Sequence, residues 1–234
     1  MSISTDKNSL IERLFQAGAH FGFKKSRRHP TVLPYLYTSK YGNDIFDLYK
    51  TAEMLDKAKE VVKEFAKNKK SILLIGTKNE ISHIISSQAE KFGLPAVYNR
   101  WIGGTITNFP EIRKRVEHLE NLRSEMDTGN LDRKYTKKEQ VLLKREIDKL
   151  DFNFSGIISL QQVPDLAIVV DPRYESIAVK ELKEKNIPII AISGSDCDLN
   201  GIAYPIPVND ALTASVSIIL NQILTAYEEG GREA

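Results

Sequence analysis

Short apolar runs that do not alternate with polar residues recur along the chain and predict buried parallel strands. β-branched residues dominate these runs, as expected when helices cover both faces of a sheet. Four runs are clear and a fifth, the last, is weaker. The runs are Ser71–Gly76, Pro95–Asn99, Leu166–Asp171, Pro188–Ile192 and Tyr204–Val208.

Helical spacing of apolar residues fills the intervals between the runs. Gly93 is a natural stop for the second of the main helices, and Asn209 or Asp210 is the expected N-cap of the last. The helices are predicted at 10–18, 51–68, 79–92, 174–185 and 209–228. Alternation of strand and helix predicts an α/β fold with a doubly wound, five-stranded parallel sheet, formed by residues 51–106 and 151–229.

The interval 107–150 has no strand pattern. Ile112, Val116 and Leu119 share one helical face, and a second apolar side runs from Val141 to Leu150, with turn residues between them. So long an insertion between neighbouring strands predicts an antiparallel α-helical hairpin that protrudes as a coiled coil. An ordinary pair of crossover helices is the alternative.

Residues 1–50 predict a separate N-terminal part, with a short helix followed by a basic arm. Residues 20–40 contain five cations and no acid. Runs at 32–38 and 44–48 flank Tyr41-Gly42-Asn43 and predict a β-hairpin within the arm. At the other end, Gly230–Ala234 is predicted to be a mobile tail because it has little apolar content.

Charge is divided unevenly along the chain. Residues 1–150 hold 28 Lys and Arg against 19 Asp and Glu, a net of +9. Residues 151–234 hold 5 against 12, a net of −7. The division indicates a polyanionic partner for the first part. We expect the acidic part to face proteins or solvent.

No apolar run approaches the roughly 20 residues that span a bilayer, so no membrane partner is expected. The N-terminus has neither a secretory nor a transit-peptide pattern. A single cysteine, Cys197, excludes an internal disulfide and a cysteine-cluster metal site. Together these features predict a cytosol-like compartment.

Tests for an enzyme identify no catalytic residues and no cofactor. Gly103-Gly104 lies between a strand and a helix, as phosphate loops do, but matches neither dinucleotide nor P-loop spacing. Gly76-Thr77-Lys78 also follows a predicted strand, but its single glycine is weak evidence for a phosphate-binding loop. Asp196, Asp198 and Asp210 are weak candidates for a metal site near a strand end, and solvated loop carboxylates are the favoured interpretation.

Cations mixed with aromatic residues in the arm are typical of RNA binding. Cations bind phosphates through counterion release, and aromatic rings stack on unpaired bases. Arg100 and residues 113–115 extend the cationic stretch on both sides of the double-glycine turn. A solvated basic loop with its aromatics turned inward is the alternative.

Several blocks, in order across nearly the whole chain, resemble the bacterial-type S-two family of small-subunit ribosomal proteins. They include GAHFG (18–22), RWIGGTITNF (100–109), PDLAIVVDPR (164–173), IPIIAI (187–192) and YPIPVND (204–210). The resemblance implies a flavodoxin-like domain with a coiled-coil hairpin, no enzymatic activity, and a place in a cytoplasmic or organelle ribosome. It implies small-subunit ribosomal RNA and neighbouring ribosomal proteins as partners, including the large mRNA-binding S-one protein.

The chain departs from the family pattern at three positions and in the segment around Ser193–Ser195. Phe23 stands where members often have His, His29 precedes Pro30 where Trp-Asn-Pro is usual, and Ala211 replaces a second Asp. The last change argues against a divalent-ion site. The RNA-binding candidates are Lys24, Lys25, Arg27, Arg28, His29, Tyr35, Lys40, Arg100, Trp101, Gly103, Gly104, Thr105, Asn108, Arg113, Lys114 and Arg115.

The leading hypothesis is a structural RNA-binding protein of the small ribosomal subunit. A nucleotide- or sugar-phosphate-binding enzyme on the same fold is the alternative, since fold alone does not fix function. A protein–protein adaptor that acts through the hairpin is a third class.

Overall fold

The N-terminal arm folds as a small antiparallel sheet. A computed structural model describes residues 2–128 and 135–233, with side chains from residue 8 onward. The arm strands are β1 (Phe21–Lys24), β2 (Leu36–Lys40) and β3 (Asn43–Phe46). β3 lies between the other two. The predicted hairpin is present, but 30–35 form a 3-10 helix because Pro30 and Pro34 withhold backbone donors from a strand.

The five strands predicted from apolar runs form one parallel sheet. They are β4 (Ile72–Ile75), β5 (Ala96–Val97), β6 (Leu166–Val170), β7 (Ile189–Ser193) and β8 (Tyr204–Pro207). Their order is β5-β4-β6-β7-β8, and each neighbouring pair is parallel. The doubly wound α/β class is thereby confirmed.

Helices cover both faces of this sheet. They are α1 (Ser2–Gln16), α2 (Leu48–Lys67), α3 (Asn79–Phe92), α4 (Phe109–Asp127), α5 (Lys137–Phe154), α6 (Ser176–Glu184) and α7 (Thr213–Arg232). Leu73 and Ile75 point into one core, while Ile72 and Leu74 point into a second core on the opposite face. Two buried faces explain why the strand sequences do not alternate with polar residues.

The last helix differs from its prediction at both ends. It begins at Thr213 because Asp210 accepts a backbone hydrogen bond from Gly194 and does not cap the helix. It extends to Arg232, so the predicted tail begins inside α7. A Cβ at Gly230 would lie 2.4 Å from the carbonyl oxygen of Lys63 in α2. The absence of a side chain there lets the two helices approach closely.

The insertion between β5 and β6 contains two long helices, α4 and α5. Ile112, Val116 and Leu119 are buried, as their spacing predicts, and join the core beneath the sheet with Ile147 and Leu150. Val141 and Leu142 of the predicted apolar side are exposed. Residues 129–134, where the sequence predicts the turn of the hairpin, lie outside the described residues, and the protruding coiled coil stays a prediction.

Among the described residues, no helix is both long enough and apolar enough to cross a membrane.

Candidate nucleic-acid interface

The basic arm is attached to the carboxyl-terminal edge of the parallel sheet. Ser195, which follows β7, receives a hydrogen bond on its hydroxyl from the Phe23 amide at 2.8 Å. Its carbonyl oxygen receives another from the His29 amide at 2.9 Å. Because the carboxyl ends of parallel strands share one edge, the arm lies where α/β proteins bind their ligands.

Arg28 holds the arm together from within. Its Nε donates to Asp44 Oδ2 at 2.8 Å, a second guanidinium nitrogen contacts Oδ1, and the Ser39 hydroxyl donates to Oδ1 at 2.9 Å. The Asp44 side chain is fully buried. The hydrogen bond from Arg28 lowers the pKa of Asp44 and raises the pKa of Arg28. Arg28 therefore stabilises the fold. A variant that replaces Arg27 and Arg28 together would lose stability as well as positive charge, so it could not isolate their effect on RNA binding.

Other cations of the arm face solvent. Lys24, Lys25 and Lys40 are exposed. The Lys40 ammonium lies 5.4 Å from the ring centre of Tyr41, which is 93% exposed at the tip of the β2–β3 turn. Tyr35, the aromatic candidate from the sequence, is partly buried against the core instead. Tyr41 is therefore the ring best placed to stack on a base.

The double-glycine turn encloses a carboxylate from within the protein. Trp101 Nε1 and the Gly104 amide donate to Glu181 Oε1 at 3.1 and 2.8 Å. Amides of Ile106 and Thr107, with the Thr107 hydroxyl, donate to Oε2 at 3.0–3.2 Å. Burial disfavours ionisation of Glu181, but the hydrogen bonds from the turn outweigh it and lower the pKa of this carboxyl.

This arrangement changes the role of the turn residues. The side chains of Trp101 and Thr105 are buried, and the Thr105 hydroxyl donates to the Ile102 carbonyl. Gly104 has a φ of +91° that favours glycine. The accessible candidates in this segment are Arg100, Gly103 and Asn108. Asn108 occupies the N-cap position of α4 but makes no side-chain capping bond.

The three cations at the start of α4 are not equivalent. Arg113 donates to the Ile158 carbonyl at 2.9 Å and lies 3.3 Å from Glu120, with its side chain only 17% exposed. Lys114 is exposed and lies 2.6 Å from Glu111. Arg115 is exposed. Arg113 therefore ties the helix to the domain, whereas Lys114 and Arg115 face outward.

The second glycine turn is also filled by carboxylates. The amide and hydroxyl of Thr77 donate to Glu175 Oε1 at 2.6 and 2.7 Å, and Lys78 Nζ lies 3.2 Å from Asp171 Oδ2. Burial raises the pKa of Glu175. Side chains of the protein thus take the donors that would hold a phosphate at both turns.

The metal candidates lie close in sequence but differ in environment. Asp196 is buried and contacts two arginines, whereas Asp198 is exposed. Within the described residues, possible ligand atoms of Asp171, Cys197 and Asp210 lie within 4.8 Å of one another. Burial raises the pKa of the Cys197 thiol and, together with Asp171, that of Asp210. Of the three sequence candidates, Asp210 alone belongs to this buried group within the described residues.

Two important residues were not among the sequence candidates. Glu181 lies on the same helical stripe as Ala178 and Leu182, and an acid in a buried stripe signals an internal partner. Arg173 contacts Asp196 across 23 positions of sequence, and no local pattern indicates that pairing.

A family model described as "Ribosomal protein S2" matches residues 14–230. "Small ribosomal subunit protein uS2c" of Emiliania huxleyi is 41% identical over 220 residues, covering 94% of this chain and 96% of the relative. The protein of that name from Guillardia theta is 40% identical over 94% of this chain and 93% of the relative. "Small ribosomal subunit protein uS2" of Petrotoga mobilis is 37% identical over 94% of this chain and 76% of the relative.

Proposed function

Because the chain belongs to the ribosomal protein S2 family, we propose that its basic arm holds it against small-subunit ribosomal RNA. The protein itself is a structural component of the small ribosomal subunit, as the names of its relatives indicate. The enzyme alternative finds no support in the family. Our proposal adds two points to this role: the contact with ribosomal RNA and the identity of the neighbouring proteins.

The observation that carries the proposal is the exposure of arm cations at the carboxyl-terminal sheet edge. Lys24, Lys25 and Lys40 face solvent, with Tyr41 beside them. Arg100, Lys114 and Arg115 follow β5 and are also exposed. Lysines and arginines of this kind neutralise phosphates without reading sequence, which suits a partner with a fixed RNA fold.

An apolar part of the same edge suits a protein partner. Phe15, Phe21 and Leu212 are exposed, and Phe21 and Leu212 line a cavity of about 320 Å³ beside Gly194 and Asp210. Exposed apolar side chains beside a cavity are typical of protein docking sites. We assign this part to a neighbouring ribosomal protein, with the S-one protein as the partner that the family resemblance implies.

The test uses small ribosomal subunits from which the S2-family protein has been removed. Tagged protein is bound to them at graded salt, and bound material is recovered by sedimentation. Lys24→Gln with Lys25→Gln should flatten the log–log salt dependence by about two units if each lysine meets one phosphate.

The matched control is Lys67→Gln with Lys91→Gln. These exposed lysines lie at the ends of α2 and α3, at the opposite edge of the sheet, and the two substitutions remove the same amount of positive charge. The control should bind as the wild type does. Equal slopes for the two double variants would overturn the arm as the RNA contact, and no co-sedimentation of the wild type would overturn the ribosomal proposal itself.

A further inference from the structure

Asp196 joins two arginines that are distant in sequence. Arg27 Nη2 donates to Asp196 Oδ2 at 2.9 Å, and Arg173 Nη1 donates to the same oxygen. The Asp196 side chain is 4% exposed, whereas Arg27 and Arg173 are 52% and 53% exposed. One buried carboxylate thus anchors two guanidinium groups that remain half open to solvent.

The charges of this cluster do not cancel. Two guanidinium groups against one carboxylate leave a net charge of +1. Each guanidinium has five N–H donors, so donors remain after the bonds to Asp196. The Arg27 guanidinium is also held 4.5 Å from the Phe23 ring centre. Anchored side chains lose less conformational entropy when they bind a ligand, which favours tight contact with an anion.

Arg173 lines a cleft of about 410 Å³ whose other cations, Lys180 and Lys183, come from α6. Lys180, Lys183 and His29 contribute to its walls, as does the exposed Asp198. Lys183 is held by a hydrogen bond to the Asn200 carbonyl at 2.5 Å. The neighbouring Tyr174 is 59% exposed. A cationic cleft next to an exposed aromatic ring matches a phosphate and the base attached to it.

We propose that a backbone phosphate of ribosomal RNA binds beside this cleft, between Arg173 of its wall and Arg27, which Asp196 holds next to Arg173. Asp196 acts as a positioning residue, because one of its carboxylate oxygens holds both guanidinium groups side by side. The inference rests on the proposed function and deepens it, because it joins Arg27 of the arm to Arg173 of the sheet domain in one phosphate site. Arg173 then belongs with the RNA-binding residues.

The experiment uses the same depleted small subunits as the probe. Arg27→Gln with Arg173→Gln, made together with Asp196→Asn so that no buried carboxylate is left unpaired, should weaken binding about tenfold and flatten the log–log salt dependence by about one unit, the loss of one phosphate contact. Arg173→Lys keeps the charge but loses the planar fork, so it should weaken binding and leave the salt slope unchanged. Arg232→Gln, an exposed arginine at the far end of α7, is the matched control.

Photo-crosslinking identifies the partner. Tyr174 is replaced by p-benzoylphenylalanine, and the attached material is analysed after irradiation. Crosslinks to ribosomal RNA support the proposal; crosslinks only to ribosomal proteins overturn it. If the triple variant matches Arg232→Gln while the Lys24 and Lys25 variant still binds weakly, the cleft proposal fails and the arm proposal stands.

Discussion

A single glutamate explains why the most recognisable stretch of the sequence does not form a phosphate loop. The five donors around Glu181 come from a turn of seven residues, 101–107. Phosphate-binding loops bind their anion with converging backbone amides. Here the anion is part of the chain, so the glycines serve closure of the turn.

Glu181→Gln should destabilise the protein by about 2–4 kcal/mol, because the new amide group faces the Ile106 and Thr107 donors and leaves buried N–H groups unpaired. Guanidinium unfolding followed by circular dichroism measures the loss. Glu184→Gln, on the exposed side of the same helix, is the control and should be near neutral. Equal stability of the two variants would contradict the role given to Glu181.

The buried pair of Arg28 and Asp44 predicts a stability difference that depends on pH. The folded-state pKa of Asp44 is lowered, so the pair stabilises the protein above the unfolded pKa of Asp44, and this stabilisation falls as the pH falls through the folded value. Arg28→Gln leaves the buried carboxylate unpaired and should cost about 2–4 kcal/mol at neutral pH. In acid the carboxylate is protonated in the variant, so the gap to the wild type should narrow.

Urea unfolding at a series of pH values measures this gap. Arg145→Gln, an exposed arginine of α5, should show no such convergence. A gap between the wild type and Arg28→Gln that stays constant, or widens in acid, would show that the guanidinium contributes through packing alone.

Residue roles were the part of the site least accessible from the sequence. The cations of the arm were identified by composition, and Lys24, Lys25 and Lys40 are exposed as an RNA contact requires. Composition does not separate Arg27, which is half exposed beside Asp196, from Arg28, which is paired with the buried Asp44. The difference depends on an acid 16 positions away, and such pairings follow from tertiary structure.

At the scale of elements, hydrophobic periodicity was a good guide to the sheet. All five strands were found, and the predicted bounds of α3 agree with the structure. β1 was missed because FGFK is only four residues long and contains a glycine, which weakens a strand pattern. The end of α7 was also misplaced, because glycines near a terminus suggest a stop when their packing partner is unknown.

The close packing of α2 and α7 gives a test of that helix end. Gly230→Ala should destabilise the protein by about 1–3 kcal/mol, because its Cβ would overlap the Lys63 carbonyl. Gly231→Ala is the matched control: its Cβ meets no atom within 4 Å, and the better helix propensity of alanine should stabilise the protein slightly. Thermal unfolding measures both. Neutral effects of both substitutions would instead fit the mobile tail expected from the sequence.

At the scale of the whole molecule, the division of charge along the chain has a different meaning in three dimensions. Of the 12 acids in residues 151–234, five are buried: Asp171, Glu175, Glu181, Asp196 and Asp210. They do not form the acidic outer surface that the sequence suggested. Four of them hold turns and cations of the first part at the carboxyl-terminal sheet edge, and Asp210 accepts a hydrogen bond from the Gly194 amide. Lysines of the arm remain exposed.

Sequence totals therefore understate how basic the exposed surface is at that edge. Net charge counts an acid equally whether it faces solvent or receives hydrogen bonds from amides. The fold class and the basic arm follow from the sequence because both depend on local pattern. The pairing of buried acids with partners in distant segments does not follow from the sequence, because it depends on the order of strands in the sheet.

The chain's one tryptophan, Trp101, lies in the turn between the sheet and α4, and its indole N–H donates a hydrogen bond to the buried carboxylate of Glu181. Its fluorescence thus reports from a single known location, next to the open backbone of Gly103. A shift in emission wavelength when the protein meets the subunit would signal a rearranged turn, and constant emission would signal docking as a rigid body. The molecule therefore carries its own optical probe of how it joins the particle, without any added dye.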